Sequence, residues 1–113
     1  MELDTSPQLE PLVTREAVES FTRRLVDCFA PEKVILFGSM ARGEHNTDSD
    51  ADLLVVMPYD GRAFEKVLEI RRTCRPAFPL DLLLWRPEEV ESRYGWGDPF
   101  IREAIDHGVV LHG

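Results

Sequence analysis

The chain has few cysteines, no excess of basic residues and no long apolar run, and each of these features argues against a class of protein. Its 113 residues include two cysteines, Cys28 and Cys74, far apart in sequence. Cys28 falls on the apolar side of a predicted helix, so we expect a packed, reduced thiol rather than a disulfide. No apolar stretch approaches the length of a membrane span, and residues 1–4 lack the basic and apolar regions of a signal peptide. We therefore expect a cytoplasmic protein that forms one domain over residues 1–113.

The charge balance is acidic. The chain carries 13 lysines and arginines against 21 aspartates and glutamates, a formal net charge of −8. Because nucleic-acid phosphates are held mainly by Lys and Arg, we do not expect direct nucleic-acid binding. The acidity suits a basic protein partner or small anions bound through a metal ion. It is equally explained by solubility alone.

Periodicity and capping signals predict helices and strands in succession. After a loose lead-in over residues 1–12, Thr14 is expected to cap a helix that ends at Phe29. Further helices are predicted over 62–72, from Pro87, and from Pro99 to His107, with Gly108 as its cap. Strands are predicted over 33–37, 50–57 and 80–85, with a short last strand at 109–111. A short helix is expected to start over 39–42, before a polar loop over 43–49.

The apolar residues of two helices give a prediction of which faces are buried. The predicted inward residues are Val18, Phe21, Leu25, Cys28 and Phe29 in the first helix, and Phe64, Val67 and Leu68 in the second. Trp96 lies in a glycine-flanked stretch near Pro99. We expect it to anchor a loop in the core, with a partner-facing or base-stacking role as the alternative.

One pair of short motifs carries most of the chemical information. Gly38 and Ser39 end the predicted strand over 33–37, and ten residues later Asp50 and Asp52 enter the next predicted strand. Residues at i and i+2 of a strand share a face, so the two carboxylates are expected to lie together. Mg²⁺ is usually held by one or two carboxylates plus substrate phosphates, and glycine allows close approach of a ligand to the backbone. The motifs predict a site for a nucleoside triphosphate with its metal.

Two further residues are candidates for the same site. Asp81 is a charged residue inside an otherwise apolar predicted strand, and an unpaired buried carboxylate is costly. If that strand lies beside the strand of Asp52, Asp81 reaches the site; otherwise it faces solvent or an arginine. Arg42 lies about one helical turn beyond Ser39, where it could reach a triphosphate, although a surface arginine is nearly as good an interpretation.

The fuller strings Phe37-Gly38-Ser39-Met40-Ala41-Arg42-Gly43 and Ser49-Asp50-Ala51-Asp52-Leu53-Leu54-Val55-Val56 resemble a known family. Over residues 30–112 the chain is similar to the minimal nucleotidyltransferases (MNT proteins) of prokaryotes, in the superfamily that includes DNA polymerase β. The resemblance implies an α+β fold, with a small mixed β-sheet flanked by helices. His112 stands where a tyrosine is common in the family, which touches no catalytic position.

The resemblance also implies residue roles. Asp50, Asp52 and Asp81 would be catalytic residues and ligands of two Mg²⁺ ions, and Asp81 would also be a candidate general base. Gly38, Ser39 and Arg42 would bind the triphosphate. No Gly-Lys-Ser/Thr follows Gly38, so the attack is expected at the α-phosphate rather than as in a Walker loop.

For function, the resemblance implies transfer of AMP from ATP to a hydroxyl group on a partner protein. In the family that partner is typically a HEPN-domain toxin modified on a tyrosine, so we expect an antitoxin that forms a hetero-oligomer. Two alternatives stay open. The domain could neutralise the HEPN partner by occlusion without catalysis, or it could transfer the nucleotide to a small molecule.

Overall fold

The computed structural model describes residues 13–43 and 50–113. The predicted lead-in over 1–12 and the polar-loop residues 44–49 lie outside the described residues. The elements are α1 (Arg15–Phe29), β1 (Lys33–Phe37), β2 (Ala51–Val56), α2 (Ala63–Cys74), β3 (Leu80–Trp85), α3 (Pro87–Trp96), α4 (Pro99–His107) and β4 (Val109–His112). All three main strands, the four longer helices and the short last strand are confirmed. Among the helices described, none combines the length and apolarity needed to cross a membrane.

The four strands form one sheet in the order β3-β2-β1-β4. β1 pairs antiparallel with both β2 and β4, whereas β2 and β3 run parallel. Parallel neighbours need a crossover connection, and α2 supplies it here. The expected fold class, an α+β domain with a small mixed sheet flanked by helices, is therefore confirmed.

Alternation along the strands separates two faces of the sheet. We call the side covered by α1 and α2 the core face. Its buried strand residues are Val34, Leu36, Ala51, Leu53, Val55, Leu80, Leu82 and Leu84, and they pack against Phe21, Leu25, Ile70 and Cys74 of the two helices. The opposite side, which we call the site face, carries a smaller cluster of Ile35, Leu54 and Val56 under Val90, Ile101 and Ala104 of α3 and α4.

Side-chain caps explain where two of these helices begin. The Thr14 hydroxyl accepts a hydrogen bond from the amide of Ala17 at 3.0 Å, as expected for the N-cap of α1. At α4, the Asp98 carboxylate accepts from the amides of Phe100 and Ile101 at 2.9 and 3.2 Å. Pro99 follows at the first helical position, where its missing N–H is not needed.

Residues 39–42 do not form the predicted short helix. They make a single turn, in which the Arg42 amide donates to the Gly38 carbonyl oxygen at 3.2 Å and the Gly43 amide donates to that of Met40 at 3.2 Å. Gly43 has φ +74°, a conformation that ends helical geometry after one turn. The expected helix N-terminus, which would have favoured a phosphate, is therefore absent from this turn.

Two predictions about buried helix faces were wrong in part. Cys28 is exposed, because it lies about 80° around the helix axis from Val18, at the margin of the buried stripe of α1. In α2, Phe64 is 68% exposed and Leu68 is 36% exposed. The buried stripe instead contains Ile70 and Cys74, with Val67 partly buried, because these positions share one helix face and Phe64 lies about 120° around the axis from Ile70.

Trp96 does not anchor the core. It is the last residue of α3 rather than part of a loop, and it is 76% exposed. The Arg93 guanidinium lies over the Trp85 ring, with its central carbon 4.6 Å from the ring centroid, and is 5.9 Å from the Trp96 centroid. The expectation of a buried anchor fails because a helix end at Gly97 directs this residue away from the sheet's apolar cluster.

Candidate active site

The sequence motifs meet at one end of the sheet. β1 ends at Phe37, directly opposite Asp52 in the antiparallel ladder, and Gly38 follows. β3 begins beside β2, and the parallel register pairs Asp52 with Asp81. Three chain segments that are far apart in sequence thus place the glycine turn and two of the three aspartates at one edge.

The alternation of the strands puts both carboxylates on the site face. Ala51 and Leu53 flank Asp52 and lie in the core-face cluster, and Leu80 and Leu82 flank Asp81 in the same way. Asp52 is half-buried, whereas Asp50 and Asp81 are exposed. Asp50 lies just before β2, two residues from Asp52.

The electrostatics show that these side chains share one local field. The pKa of Asp52 is raised above its ordinary value, chiefly by burial and then by the negative charges of Asp81 and Asp50. The positive charge of Arg42 opposes that rise. Asp50, Asp81 and Arg42, the other three charged residues singled out from the sequence, therefore all act on the Asp52 carboxylate.

Gly38 could not be another residue without disturbing Asp52. Its φ of +79° lies in the left-handed region that side chains rarely adopt. A Cβ placed on its backbone would also overlap the Oδ2 atom of Asp52. The glycine therefore lets the turn after β1 pass directly against the carboxylate. Ser39 follows it in that turn and is half-buried.

An aromatic pair borders the same edge and was not singled out from the sequence. Phe37, the ladder partner of Asp52, meets Phe100 of α4 edge to face, with ring centroids 5.3 Å apart. Phe100 is 39% exposed despite this contact. The sequence around Phe100, which follows an Asp-Pro helix start, did not predict that it lies beside Phe37 and Asp52. That contact depends on how α4 packs over the sheet.

The donor set fits a divalent cation chemically. Asp50, Asp52 and Asp81 offer the carboxylate oxygens that Mg²⁺ prefers, and the raised pKa of Asp52 reflects burial and, after it, repulsion by Asp81 and Asp50, which a cation would relieve. Within residues 13–43 and 50–113, no three His, Cys, Asp or Glu side chains stand as a closed ligand group. The site therefore presents neighbouring carboxylates rather than a preformed cage, and such an incomplete ligand set suits a metal that arrives with substrate phosphates.

Comparison with known proteins places the chain among transferases. The family model of a nucleotidyltransferase domain matches residues 15–111, which include the glycine turn and all three aspartates. A "putative protein adenylyltransferase" of Methanocaldococcus jannaschii is 29% identical over 83 residues, covering 72% of this chain and 78% of that protein. A crystal structure of a "putative nucleotidyltransferase" from Sulfolobus solfataricus matches with a TM-score of 0.47 and 26% identity, covering 71% of this chain and 82% of that one.

Proposed function

This chain belongs to the nucleotidyltransferase domain family, and from that premise we propose that it transfers AMP from ATP to a hydroxyl group on a partner protein. The observation that carries the proposal is the register that sets Asp52 beside Asp81 and against Gly38. The name of the Methanocaldococcus jannaschii relative, a protein adenylyltransferase, supports both AMP as the transferred group and a protein as the acceptor.

The reaction balances as one displacement at phosphorus. The acceptor oxygen forms a bond to the α-phosphorus of ATP, and the bond from that phosphorus to the oxygen bridging the α- and β-phosphates breaks. Pyrophosphate leaves with the electron pair, and the acceptor hydroxyl loses its proton. The protein must therefore accept a proton on one side and hold a departing anion on the other.

The residues of the site divide between these two tasks. Asp81 is exposed beside Asp52, so it is placed to accept the proton of an incoming hydroxyl group. Gly38 and Ser39 would bind the β- and γ-phosphates at the turn that passes against Asp52, and Arg42 would offer a positive charge near Asp52 to the same phosphates. Two bound Mg²⁺ ions, held by Asp50, Asp52 and Asp81, would neutralise phosphate charge and lower the pKa of the acceptor hydroxyl.

For the biological role, we propose an antitoxin that modifies a tyrosine of a HEPN-domain toxin in the cytoplasm and forms a hetero-oligomer with it. The resemblance to MNT proteins suggests this partner, and the net charge of −8 suits a basic one. The same charge gives no support to direct nucleic-acid binding.

The test is to incubate the purified chain with Mg²⁺, α-labelled ATP and extract from its source. We expect a labelled protein band, with the modified residue then located by mass spectrometry. The double variant Asp50→Asn, Asp52→Asn should give no band. The control Asp27→Asn, Asp60→Asn makes the same charge change at exposed positions away from the site and should label normally.

The other outcomes separate the remaining functions. Label retained by the Asp50→Asn, Asp52→Asn variant would contradict the catalytic assignment. If the wild-type chain and the Asp50→Asn, Asp52→Asn variant both bind and inhibit the partner without labelling it, that result would indicate neutralisation by occlusion. Label that appears only in a small-molecule fraction would indicate a small acceptor in place of a protein.

A further inference from the structure

A second concave feature lies at the other end of the sheet from the carboxylates. It is a groove of about 570 Å³ between the start of β1, the end of β2 and helices α3 and α4. Apolar side chains and three glutamates line it, chiefly Val56, Val90, Ile105, Glu32, Glu88 and Glu91. We call this feature the acidic groove.

The acidic groove and the candidate active site share a face. Val56, in the groove lining, and Asp52 are four residues apart on β2, so their side chains leave the sheet on the same side. Four residues of extended strand correspond to about 13 Å. A protein segment seated in the groove would therefore lie on the side of the sheet where the acceptor hydroxyl must arrive.

The charges around the groove have one predominant sign. Glu32, Glu88 and Glu91 are exposed, and Lys33 is the single basic residue among the lining residues that the structure describes. A fourth carboxylate, Asp106, stands at the rim and accepts a hydrogen bond from the Tyr94 hydroxyl at 2.8 Å. An apolar lining with an acidic rim is complementary to a segment that combines apolar anchors with flanking Lys or Arg.

A contrasting groove shows that this bias is not general to the surface. A cavity of about 410 Å³ between α1 and β4 is lined by Arg15 and Arg23 as well as Glu19 and Asp27. Its acidic and basic side chains balance, so it offers no preference for a cationic segment. Of these two grooves, the one that lies on the site face is the one with the acidic bias.

We propose that the acidic groove docks a basic amphipathic segment of the acceptor protein and so holds the acceptor hydroxyl near Asp52 and Asp81. This inference rests on the proposed function, because it takes the acceptor to be a protein. Apolar side chains of the segment contact Val56, Val90 and Ile105, and its cations meet the glutamates of the rim. Docking away from the reacting atoms gives acceptor selectivity without altering the carboxylates.

The test uses the ¹⁵N-labelled full chain and a synthetic amphipathic Leu/Lys peptide of about four helical turns. Nuclear magnetic resonance titration should move the amide signals of groove residues such as Val90 and Glu91. The double variant Glu32→Lys, Glu91→Lys should weaken binding by about tenfold, because reversed charges repel the peptide. The matched double Glu19→Lys, Asp27→Lys makes the same charge change in the balanced groove and should weaken it by less than about twofold.

Three outcomes would overturn the proposal. The first is equal weakening by both doubles, which would indicate attraction to net charge alone. The second is signal changes that map outside the groove. The third is movement of groove signals with protein concentration in the absence of peptide, which would assign the groove to a second copy of this chain. A Leu/Glu peptide of the same pattern should not bind.

One further comparison, between the aspartate and glutamate double variants, tests peptide binding and AMP transfer separately. The Asp50→Asn, Asp52→Asn variant should bind the peptide normally, because its changes lie at the other end of the sheet. In the extract assay, the Glu32→Lys, Glu91→Lys variant should lose protein labelling while binding ATP normally. Normal protein labelling by the Glu32→Lys, Glu91→Lys variant would overturn the groove as the acceptor's docking site, whereas labelling by the Asp50→Asn, Asp52→Asn variant would overturn the proposed function.

Discussion

The two faces of the sheet use the same strands for different purposes. On the core face, Leu53 and Val55 of β2 are fully buried beneath α1 and α2. Asp52, one residue before Leu53, faces the other side, at the edge of the smaller cluster under α3 and α4. Among residues 13–43 and 50–113, no buried member of the core face is charged, whereas the site face carries the carboxylates and the acidic groove.

The contrast shows how a small domain accommodates a site that works against its stability. Burial of a carboxylate and repulsion from its neighbours both disfavour the charged form, and the raised pKa of Asp52 reflects burial first and repulsion by Asp81 and Asp50 second. Because successive side chains of a strand point to opposite faces, this cost falls on the site face, while apolar residues are buried on the core face. Four predictions test this division, and they run from the largest expected effect to the smallest.

Replacing Asp81 with Asn should reduce transfer by about 10²- to 10⁴-fold, the range for losing one positioned general base. Asp81 is exposed at the start of β3, so the free energy of unfolding should change by less than about 0.5 kcal/mol. Single-turnover transfer and urea denaturation measure the two effects. Asp60→Asn is the exposed control, and a large loss of stability with intact transfer would reverse the assignment.

Replacing one phenylalanine on each face compares how much the two faces contribute to the free energy of unfolding. Both residues belong to edge-to-face aromatic pairs. Phe21 is fully buried on the core face and meets Phe78 edge to face, with centroids 6.0 Å apart. Phe21→Ala should lower the free energy of unfolding by about 3–5 kcal/mol. Phe100→Ala on the site face should cost less than about 1.5 kcal/mol, since the ring is partly exposed. Equal costs in urea denaturation would refute the division of the two faces.

Gly38→Ala should cost about 1–2 kcal/mol of stability from the left-handed backbone alone and should also displace the Asp52 carboxylate. Gly43→Ala is the matched control, because Gly43 also has positive φ but its Cβ would meet nothing within 4 Å among the described residues. Both variants should lose similar stability, and only Gly38→Ala should lose transfer. Equal loss of transfer in the two would show that turn geometry matters rather than contact with Asp52.

The smallest expected effect is on the pH dependence of stability, which should have opposite signs at Asp52 and Asp98 of the site face. The raised pKa of Asp52 means that the folded state holds its proton more tightly than the unfolded chain. Its contribution to stability is therefore present below the ordinary pKa of 3.8 and is lost as pH rises through the folded-state pKa. Without divalent cations, Asp52→Asn should raise the Tm at neutral pH, and this gain should vanish in acid.

At Asp98 the sign is reversed. The amide of Ile101, foremost among several groups, lowers the pKa of this carboxylate at the start of α4. Its stabilising contribution is present above the ordinary pKa and is lost as pH falls through the folded-state pKa. Asp98→Ala should therefore lower the Tm at neutral pH and have less effect in acid. Thermal melts from acidic to neutral pH measure both variants, and parallel pH profiles would contradict the assigned causes.

Most of the elements could be predicted because their signals are local. Thr14, Pro87, Pro99 and Gly108 mark helix ends through local effects, namely a side-chain cap, a missing N–H or a backbone bond within one turn, and the apolar runs of β1 and β3 are evident residue by residue. The predictions that failed concern side chains whose burial depends on which other elements pack against them. The apolar first turn of α2 indicated burial of Phe64, but the sheet contacts the stripe that contains Ile70 and Cys74.

The sequence alone determined the composition of the candidate site: the glycine turn after a buried strand, the i and i+2 aspartates, and a charged residue inside an apolar strand. Only the tertiary structure decided that Asp81 lies beside Asp52, that Phe100 borders them, and that an acidic groove shares their face. The physical reason is the distance along the chain over which each effect acts. Propensities, caps and alternation act over a few residues, whereas strand register and helix placement follow from burying both faces of the sheet at once.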